Sequence, residues 1–405
     1  MPNNLVSIPT IKPLENILPQ EPLLMMGAGP VPIPAAVARA NGIVINHLGD
    51  TMATFIGQVK AMAQYIFQTH SPWVVGVAGP GSAAMEMAVA NLVWKNTKVL
   101  SICNGFFSSR LSEMAIRAGG QVEKMQVPEG SSANIEQVSQ YIEEMKPDIV
   151  TVVQGETSNT TYNDIQSISR VAKQHGCLLV VDAVCTLSTM PLKMDEWQID
   201  AIITGGQKGL SSIPGVSLIA FSEKAWQRIC ERTDVLPQWT LDAKLATKFW
   251  HENSYHYTAP VSGLMALHEA MRLICEETLT TRYKRHLTCS KGLQAGIEAL
   301  GLELYVAQAS RLNSVVGIKL PSGLSSKDVC NHISEHYRVE IAGSFGPPIV
   351  RIGQMGEQCR EHNLFRTIHA LGSTFKDLGV KVDVPNGMAT LENKLQKERL
   401  LVTSL

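Results

Sequence analysis

Residues Cys177-Leu178-Leu179-Val180-Val181-Asp182-Ala183-Val184, followed by Thr204-Gly205-Gly206-Gln207-Lys208-Gly209, decide the reading of this chain. The first is an apolar run interrupted by one carboxylate near its end. Such a run reads as a strand buried on both faces, where a lone acid is costly unless a cation meets it. The second sets a lysine in a turn of small residues, from which it reaches into a cleft. Together they suit a ligand with a basic ring nitrogen at one end and a carbonyl at the other. A carboxylate keeps such a nitrogen protonated, so that the ring accepts electrons. A lysine forms an imine with an aldehyde and serves as a base once displaced. A helix cap is the competing reading of Asp182, and a solvated surface amine that of Lys208. Gly205, Gly206, Gly209 and Ser211 favour a cramped active-site turn.

Around this pair, short apolar runs alternate with helical patterns from about residue 70 to 225. The runs Val74–Ala78, Val99–Cys103, Ile149–Val153, Leu178–Val181, Ala201–Thr204 and Val216–Phe221 read as strands. Between them, Asn163 is placed to cap a helix whose apolar face is Ile165, Ile168, Val171 and Ala172, with Gly176 as its stop. Alternating strand and helix predicts an α/β fold, a mostly parallel sheet sandwiched by helices, with ligands at the C-terminal edges of the strands. Gly79, Asp182 and Lys208 all fall at that edge.

After about residue 275 the pattern changes. A polar helix from Thr280 to Leu300 leads into strands Leu302–Val306, Ser314–Leu320, Val339–Ala342 and Ile349–Gly353, with helices Ser325–Tyr337 and Gln358–Phe375. The expected organisation is an extended N-terminal arm (1–22), a large domain (23–278), a small C-terminal α/β domain (279–385) and a charged tail (386–405). The tail's Thr390 to Leu401 reads as helical.

The bulk numbers narrow the function classes. A chain of 405 residues with 45% hydrophobic and 18% charged residues builds a large core and leaves few charges for its surface, as in an oligomer. The net charge of −1, with no long run of one sign, points away from nucleic acid. No apolar run reaches the length of a membrane span, so no membrane partner is expected. The eight cysteines form no CxxC pair, and no histidine spacing suggests a metal site. Together these favour a reducing, cytoplasmic location; the C-terminal Thr403-Ser404-Leu405 keeps a peroxisomal address open.

Further motifs fit a bound anion and a flat ring. Gly79-Pro80-Gly81-Ser82-Ala83-Ala84 follows a strand and opens a helix, an arrangement that favours phosphate, with Ser82 as the expected N-cap. The next strand ends Cys103-Asn104-Gly105 without the acid a dinucleotide site wants. Of Phe106 and Phe107, one ring is placed to stack on a planar ligand. Hydroxyls at Tyr255 and Thr258 lie in a polar-aromatic loop that can reach a phosphate across a subunit interface. Arg351, inside the apolar strand Ile349–Gly353, needs an anion; a substrate carboxylate held by two parallel hydrogen bonds and an internal salt bridge are the two readings.

From about Leu23 to Leu378 the chain resembles the class V, fold-type I pyridoxal phosphate aminotransferases, especially the alanine–glyoxylate and serine–glyoxylate (serine–pyruvate) enzymes. The resemblance rests on Gly27-Ala28-Gly29-Pro30, Gln64–Thr69, Gly79–Ser82, Gly155-Glu156-Thr157-Ser158, Val181–Val184, Gly206-Gln207-Lys208, Tyr255–Thr258 and Val350–Gly353. It implies pyridoxal 5'-phosphate as cofactor, small amino acids and 2-oxo acids as substrates, and a homodimer with shared active sites. It implies that Lys208 carries the cofactor and that Asp182 meets the ring nitrogen, with Val184 under the ring and Phe107 stacked on it. Thr157 would bond the ring hydroxyl. Gly81, Ser82, Ala83 and Gln207, with Tyr255 and Thr258 of the partner subunit, would bind the phosphate. Arg351, helped by the backbone of Ala28 and Gly29, would take the substrate carboxylate. Pro80, Ser82 and Cys185 depart from the family pattern. Two alternatives of the same fold stand beside transamination of alanine or serine with glyoxylate or pyruvate: a pyridoxamine–pyruvate aminotransferase, and a cysteine desulfurase-like lyase.

Overall fold

The computed structural model describes residues 7–403. The expected peroxisome-like ending runs past Thr403 and lies outside the described residues, as do the first six residues of the arm. Seven strands form the central sheet, labelled in chain order β1 (Val74–Ala78), β2 (Lys98–Cys103), β3 (Gln121–Gln126), β4 (Ile149–Val153), β5 (Leu178–Asp182), β6 (Ala201–Ile203) and β7 (Val216–Phe221). Across the sheet they run β1-β7-β6-β5-β4-β2-β3. Every neighbouring pair is parallel except those of β7, which is antiparallel to both β1 and β6. All positions of β4 to β7 are buried, because helices cover both faces; this is why these strands read as unbroken apolar runs. Edge strand β3 (Gln-Val-Glu-Lys-Met-Gln) was not expected from the sequence. Its polar positions are mostly exposed, and charges on a sheet edge discourage pairing with a second chain.

Three helices on this sheet matter for the site: α1 (Gly81–Leu92), α2 (Phe106–Arg117) and α3 (Ile165–Gln174). The cap of α3 is Asp164, one residue beyond the expected Asn163; its carboxylate accepts from Ser167 N at 3.2 Å. Asn163 is fully buried, and its amide is engaged instead with Ala133 N at 2.9 Å and Val153 O at 2.8 Å. The anion takes the exposed helix start, and the neutral amide takes the buried bridge. Gly176 follows the helix with φ +74°, the left-handed stop expected of it.

Apolar side chains from Met52 to Leu279 form one core cluster, and those from Cys289 to Leu395, with Met26, form another. The second is built on strands β8 (Val315–Lys319), β9 (Ala342–Gly343) and β10 (Ile349–Gly353), antiparallel in the order β8-β10-β9. Helices α4 (Leu279–Ala299), α5 (Ser326–Tyr337), α6 (Glu361–Asp377) and α7 (Val384–Thr403) pack around it. The predicted strand Leu302–Val306 contributes only an isolated bridge, Leu304 to Ile318. The predicted strand Val339–Ala342 is split: Val339–Glu340 pairs in parallel with Leu24–Met25, and β9 pairs with β10. The chain's beginning is thereby stitched to its C-terminal core. No helix among the described residues is long and apolar enough to cross a membrane.

The charged tail of the sequence reading is helix α7, whose Leu391 and Leu395 are fully buried against α4. A Cβ added to Gly292 would stand 2.9 Å from Leu395 Cδ2, so the two helices are in close contact there. Truncating Leu395 to alanine is expected to destabilise the fold by about 2–5 kcal/mol through lost burial and a residual cavity. Urea unfolding of the two proteins measures it.

Candidate active site

The parallel register sets Asp182 level with Val153 on one side and Ile203 on the other. The chain leaving β4, β5 and β6 therefore emerges along one edge of the sheet. It delivers Thr157, then Asp182, Val184 and Cys185, then Gln207 and Lys208, to one cavity of about 150 Å3. Of the residues expected to act, Gly81, Ser82, Phe107, Thr157, Asp182, Val184, Gln207 and Lys208 line this cavity together.

Asp182 is buried, and its Oδ1 accepts from Val184 N at 2.8 Å. Burial lifts its carboxyl to about 7; the Val184 N–H, Lys208 and Arg110 oppose the rise, and nearby Glu156 adds to it. The Lys208 amine is pushed down by burial first and by Arg351 in addition, against the opposing influence of Cys185 and Asp182. The result is an amine with more of its neutral, nucleophilic form and a carboxyl in need of a cation. Lys208 Nζ donates to Ala28 O. A Cβ on Gly29, whose φ is +106°, would lie 2.5 Å from that nitrogen, so this position has no room for a side chain.

Arg351 is buried, and no carboxylate among the described residues pairs with it, which sets aside the internal salt bridge. Its Nε donates to Gly343 O at 2.7 Å and its Nη1 to Thr157 O at 2.6 Å. The exposed ring of Phe345 covers it, with the guanidinium carbon 5.5 Å from the ring centroid. Two carbonyls thus aim the side chain while leaving part of the guanidinium unused.

Six expected residues do not line the cavity: Arg351, Ala28 and Gly29 stand against Thr157 or Lys208, which do, and the other three are Ala83, Tyr255 and Thr258. Ala83 does not line it, and its N–H is spent on Pro80 O at 2.8 Å. Tyr255 and Thr258 are exposed and stand away from the cavity of their own chain. Ser82 lines the cavity, but it does not cap α1: Pro80 is the N-cap, and the Ser82 Oγ accepts from Arg110 Nη1 at 3.1 Å.

Sequence reasoning missed several participants. Fully buried Glu156 accepts from Phe107 N at 3.3 Å, Ser108 N at 2.9 Å and Ser158 Oγ at 2.6 Å, and so fixes the start of α2 that carries Phe107. Arg282 of α4 braces the lysine turn through Gly209 O at 2.9 Å and Ser211 Oγ at 3.1 Å, and is itself neutralised by Glu277. Arg110, a further cavity residue, stands three positions after Phe107 and four after Phe106; that helical spacing was the signal available for it. Cys185 also lines the cavity, but burial pushes its thiol up to about 12, and it donates to Gly155 O. Burial likewise pushes Cys330, on helix α5, up to about 11, which removes the reactive thiolate a desulfurase needs.

The residues present fit pyridoxal phosphate. At one end the Asp182 carboxyl awaits a cation. At the other, the start of α1 offers backbone amides, and buried Gln207 Oε1 has no hydrogen-bond partner. Turning that amide presents its NH2 to an anion.

Comparison with known proteins agrees. A family model described as aminotransferase class-V matches residues 35–360. The alanine–glyoxylate aminotransferase of Felis catus is 31% identical over 357 residues, covering 86% of each chain. The crystal structure of the ureidoglycine–glyoxylate aminotransferase of Bacillus subtilis superposes with a TM-score of 0.91 at 29% identity, over 94% of this chain and 99% of that one. The pyridoxamine–pyruvate aminotransferase of Mesorhizobium loti shares the fold with a TM-score of 0.90 at 22% identity, over 94% and 99% of the two chains. A fold-type I α/β sheet with an amine and a carboxyl lining one edge cavity suits a pyridoxal phosphate-dependent enzyme, and the comparisons make it an aminotransferase. The chain belongs to the class V aminotransferase family.

Proposed function

We propose that the chain moves an amino group from a small amino acid, alanine or serine, to a small 2-oxo acid, glyoxylate or pyruvate, with pyridoxal 5'-phosphate in the cavity described. The observation that carries this reading is that Lys208 and Asp182 face one cavity, with a carbonyl-aimed Arg351 beside it. When bound, the cofactor supplies an aldehyde that condenses with amines and a protonated ring that withdraws electrons from the substrate's Cα. Lys208, its proton affinity lowered by burial, would attach the cofactor. Once freed, its amine would be placed to take the substrate's α-proton and return it at the cofactor carbon. Asp182, ionised once a cation meets it, would accept the hydrogen bond of the protonated ring nitrogen. Phe107 and Val184 bracket the ring, and Thr157 bonds its hydroxyl. Gly81, Ser82 and Gln207 hold the phosphate, and the Ala83 amide remains bonded to its own helix start.

Arg351 receives the substrate carboxylate on its remaining N–H groups, beside the backbone of Ala28 and Gly29. Replacing Arg351 with leucine is expected to raise KM for alanine by about tenfold to hundredfold, the size of a charge-assisted hydrogen-bond pair. A donor amine lacking the carboxylate should lose nothing, and steady-state kinetics with the two donors checks this. The exposed positions of Tyr255 and Thr258 support a homodimer in which the partner subunit's copies close the phosphate site. The eight unpaired cysteines support a reducing compartment, the cytoplasm.

Mixing the purified protein with alanine or serine in a single half-reaction tests the proposal. One equivalent of pyruvate or hydroxypyruvate per site is expected, and no release from either donor would refute it. Pro80, which brings no N–H to the phosphate end, favours a second reading in which free pyridoxamine is the donor to pyruvate. Release of free pyridoxal by the apo-protein, fed pyridoxamine and pyruvate, would select that reading.

A further inference from the structure

We infer that Arg110 is the cation that recognises the cofactor's phosphate, directly and through the Ser82 hydroxyl, and that it sets the preference of this site for a phosphorylated over an unphosphorylated ring. The inference rests on the function proposed above and adds a residue to it.

Arg110 is the fifth residue of α2, one turn in from a helix start whose N–H groups are already bonded to Ser158 Oγ and Glu156. A half-buried guanidinium needs an anion to offset the loss of water. Glu156, the carboxylate nearest that helix start in the hydrogen-bond pattern, is already committed to Phe107 N, Ser108 N and Ser158. Among the described residues no carboxylate forms an ion pair with Arg110, and its one hydrogen-bond partner there is Ser82 Oγ. The guanidinium is nevertheless fixed in place. Its carbon lies 5.0 Å from the centroids of both Phe106 and Phe107, and it faces the cavity.

The surroundings at this end of the cavity are donors. Ser82 belongs to the start of α1, next to the amides that suit a phosphate. Because its oxygen accepts from Arg110, its own O–H remains available to donate, and the cation strengthens that donation. Gln207, whose buried Oε1 has no partner, becomes a further donor when its amide is turned to present the NH2. Asp182, the carboxylate lining the cavity, is the group assigned above to the ring nitrogen. Pro80 removes one backbone donor from the loop, and the guanidinium makes up the missing positive charge. A doubly charged phosphate ester satisfies all of these groups at once; the hydroxymethyl group of an unphosphorylated ring leaves the cation unpaired.

The test uses full-length apo-protein titrated with pyridoxal phosphate and, separately, with pyridoxal, each followed by absorbance and intrinsic fluorescence. The wild-type protein is expected to bind the phosphorylated form far more tightly. Arg110→Met should weaken pyridoxal phosphate by about tenfold to hundredfold, the worth of a charge-assisted contact, and leave pyridoxal within about twofold. Arg110→Lys should restore most of the preference, and Ser82→Ala should lose a smaller part of it. Equal weakening of both ligands by Arg110→Met would show that the side chain only props the Phe107 ring, and would overturn the inference. So would an unchanged preference. If Arg110→Met does not fold, Ser82→Ala decides by the same ratio, a fall supporting the inference and no change overturning it. A wild-type protein without any preference would instead remove the phosphate reading of the site itself.

Discussion

Replacing Lys208 with alanine is expected to reduce amino transfer by about 10⁴-fold or more, because in the proposed function one side chain attaches the cofactor and moves the proton. Both roles follow from its setting. The turn Gly205-Gly206-Gln207-Lys208 leaves β6 beside Asp182, and Arg282 fixes it from below through Gly209 O and Ser211 Oγ. Burial lowers the amine's affinity for a proton, which favours its nucleophilic form. The neighbouring thiol does not stand in for it, since Cys185 stays protonated. A small primary amine added to the Lys208→Ala protein should restore part of the rate, because the cavity keeps the shape of the missing side chain. Rapid-mixing kinetics with and without added amine measures both effects. Full activity in the variant would exclude the lysine from the chemistry.

Asp182→Asn should separate function from stability. In the proposed function the variant removes the partner that keeps the ring nitrogen protonated, and amino transfer is expected to fall by about 10²–10⁴-fold. The apo-protein should gain. Burial raises the carboxyl from 3.8 to about 7 in the folded chain. Between those values the folded state binds more protons than the unfolded state, so stability falls as pH rises through this window and then levels off. The favourable contribution is thus fully present below the unfolded value and gone above the folded one. Asparagine does not titrate, so at pH 8 the apo variant should exceed the wild type by on the order of a few kcal/mol, and at pH 4 the difference should vanish. Denaturant unfolding at the two pH values measures it. A destabilised variant at pH 8 would mean that the carboxylate is already satisfied without the cofactor.

Much of this arrangement is written locally in the chain. A strand covered on both faces must be apolar throughout, so β4, β5 and β7 stand out, and the one acid ending β5 is conspicuous. Arg351 is legible for the same reason, as a charge inside the apolar β10. The glycines around Lys208 mark a turn. What stayed hidden depends on distant partners. Nothing near Ser82 in sequence announces that Arg110, on another helix, takes its hydroxyl. Glu156 reads as an ordinary loop acid until the fold lays it across the start of α2. Asn163 and Asp164 are both good caps, and only the burial of the first assigns the role to the second. The α7 leucines are diluted among charges, so a buried helix reads as a tail. Tyr255 and Thr258 are exposed and do not line the cavity of their own chain, which their sequence does not reveal.

The account stands most directly on where the cofactor is attached. Borohydride reduction of the protein as purified, followed by proteolysis and mass mapping, should place the mass of a reduced pyridoxyl phosphate group on the peptide that contains Lys208. An unmodified Lys208 peptide, or the same mass on a different lysine, would contradict it.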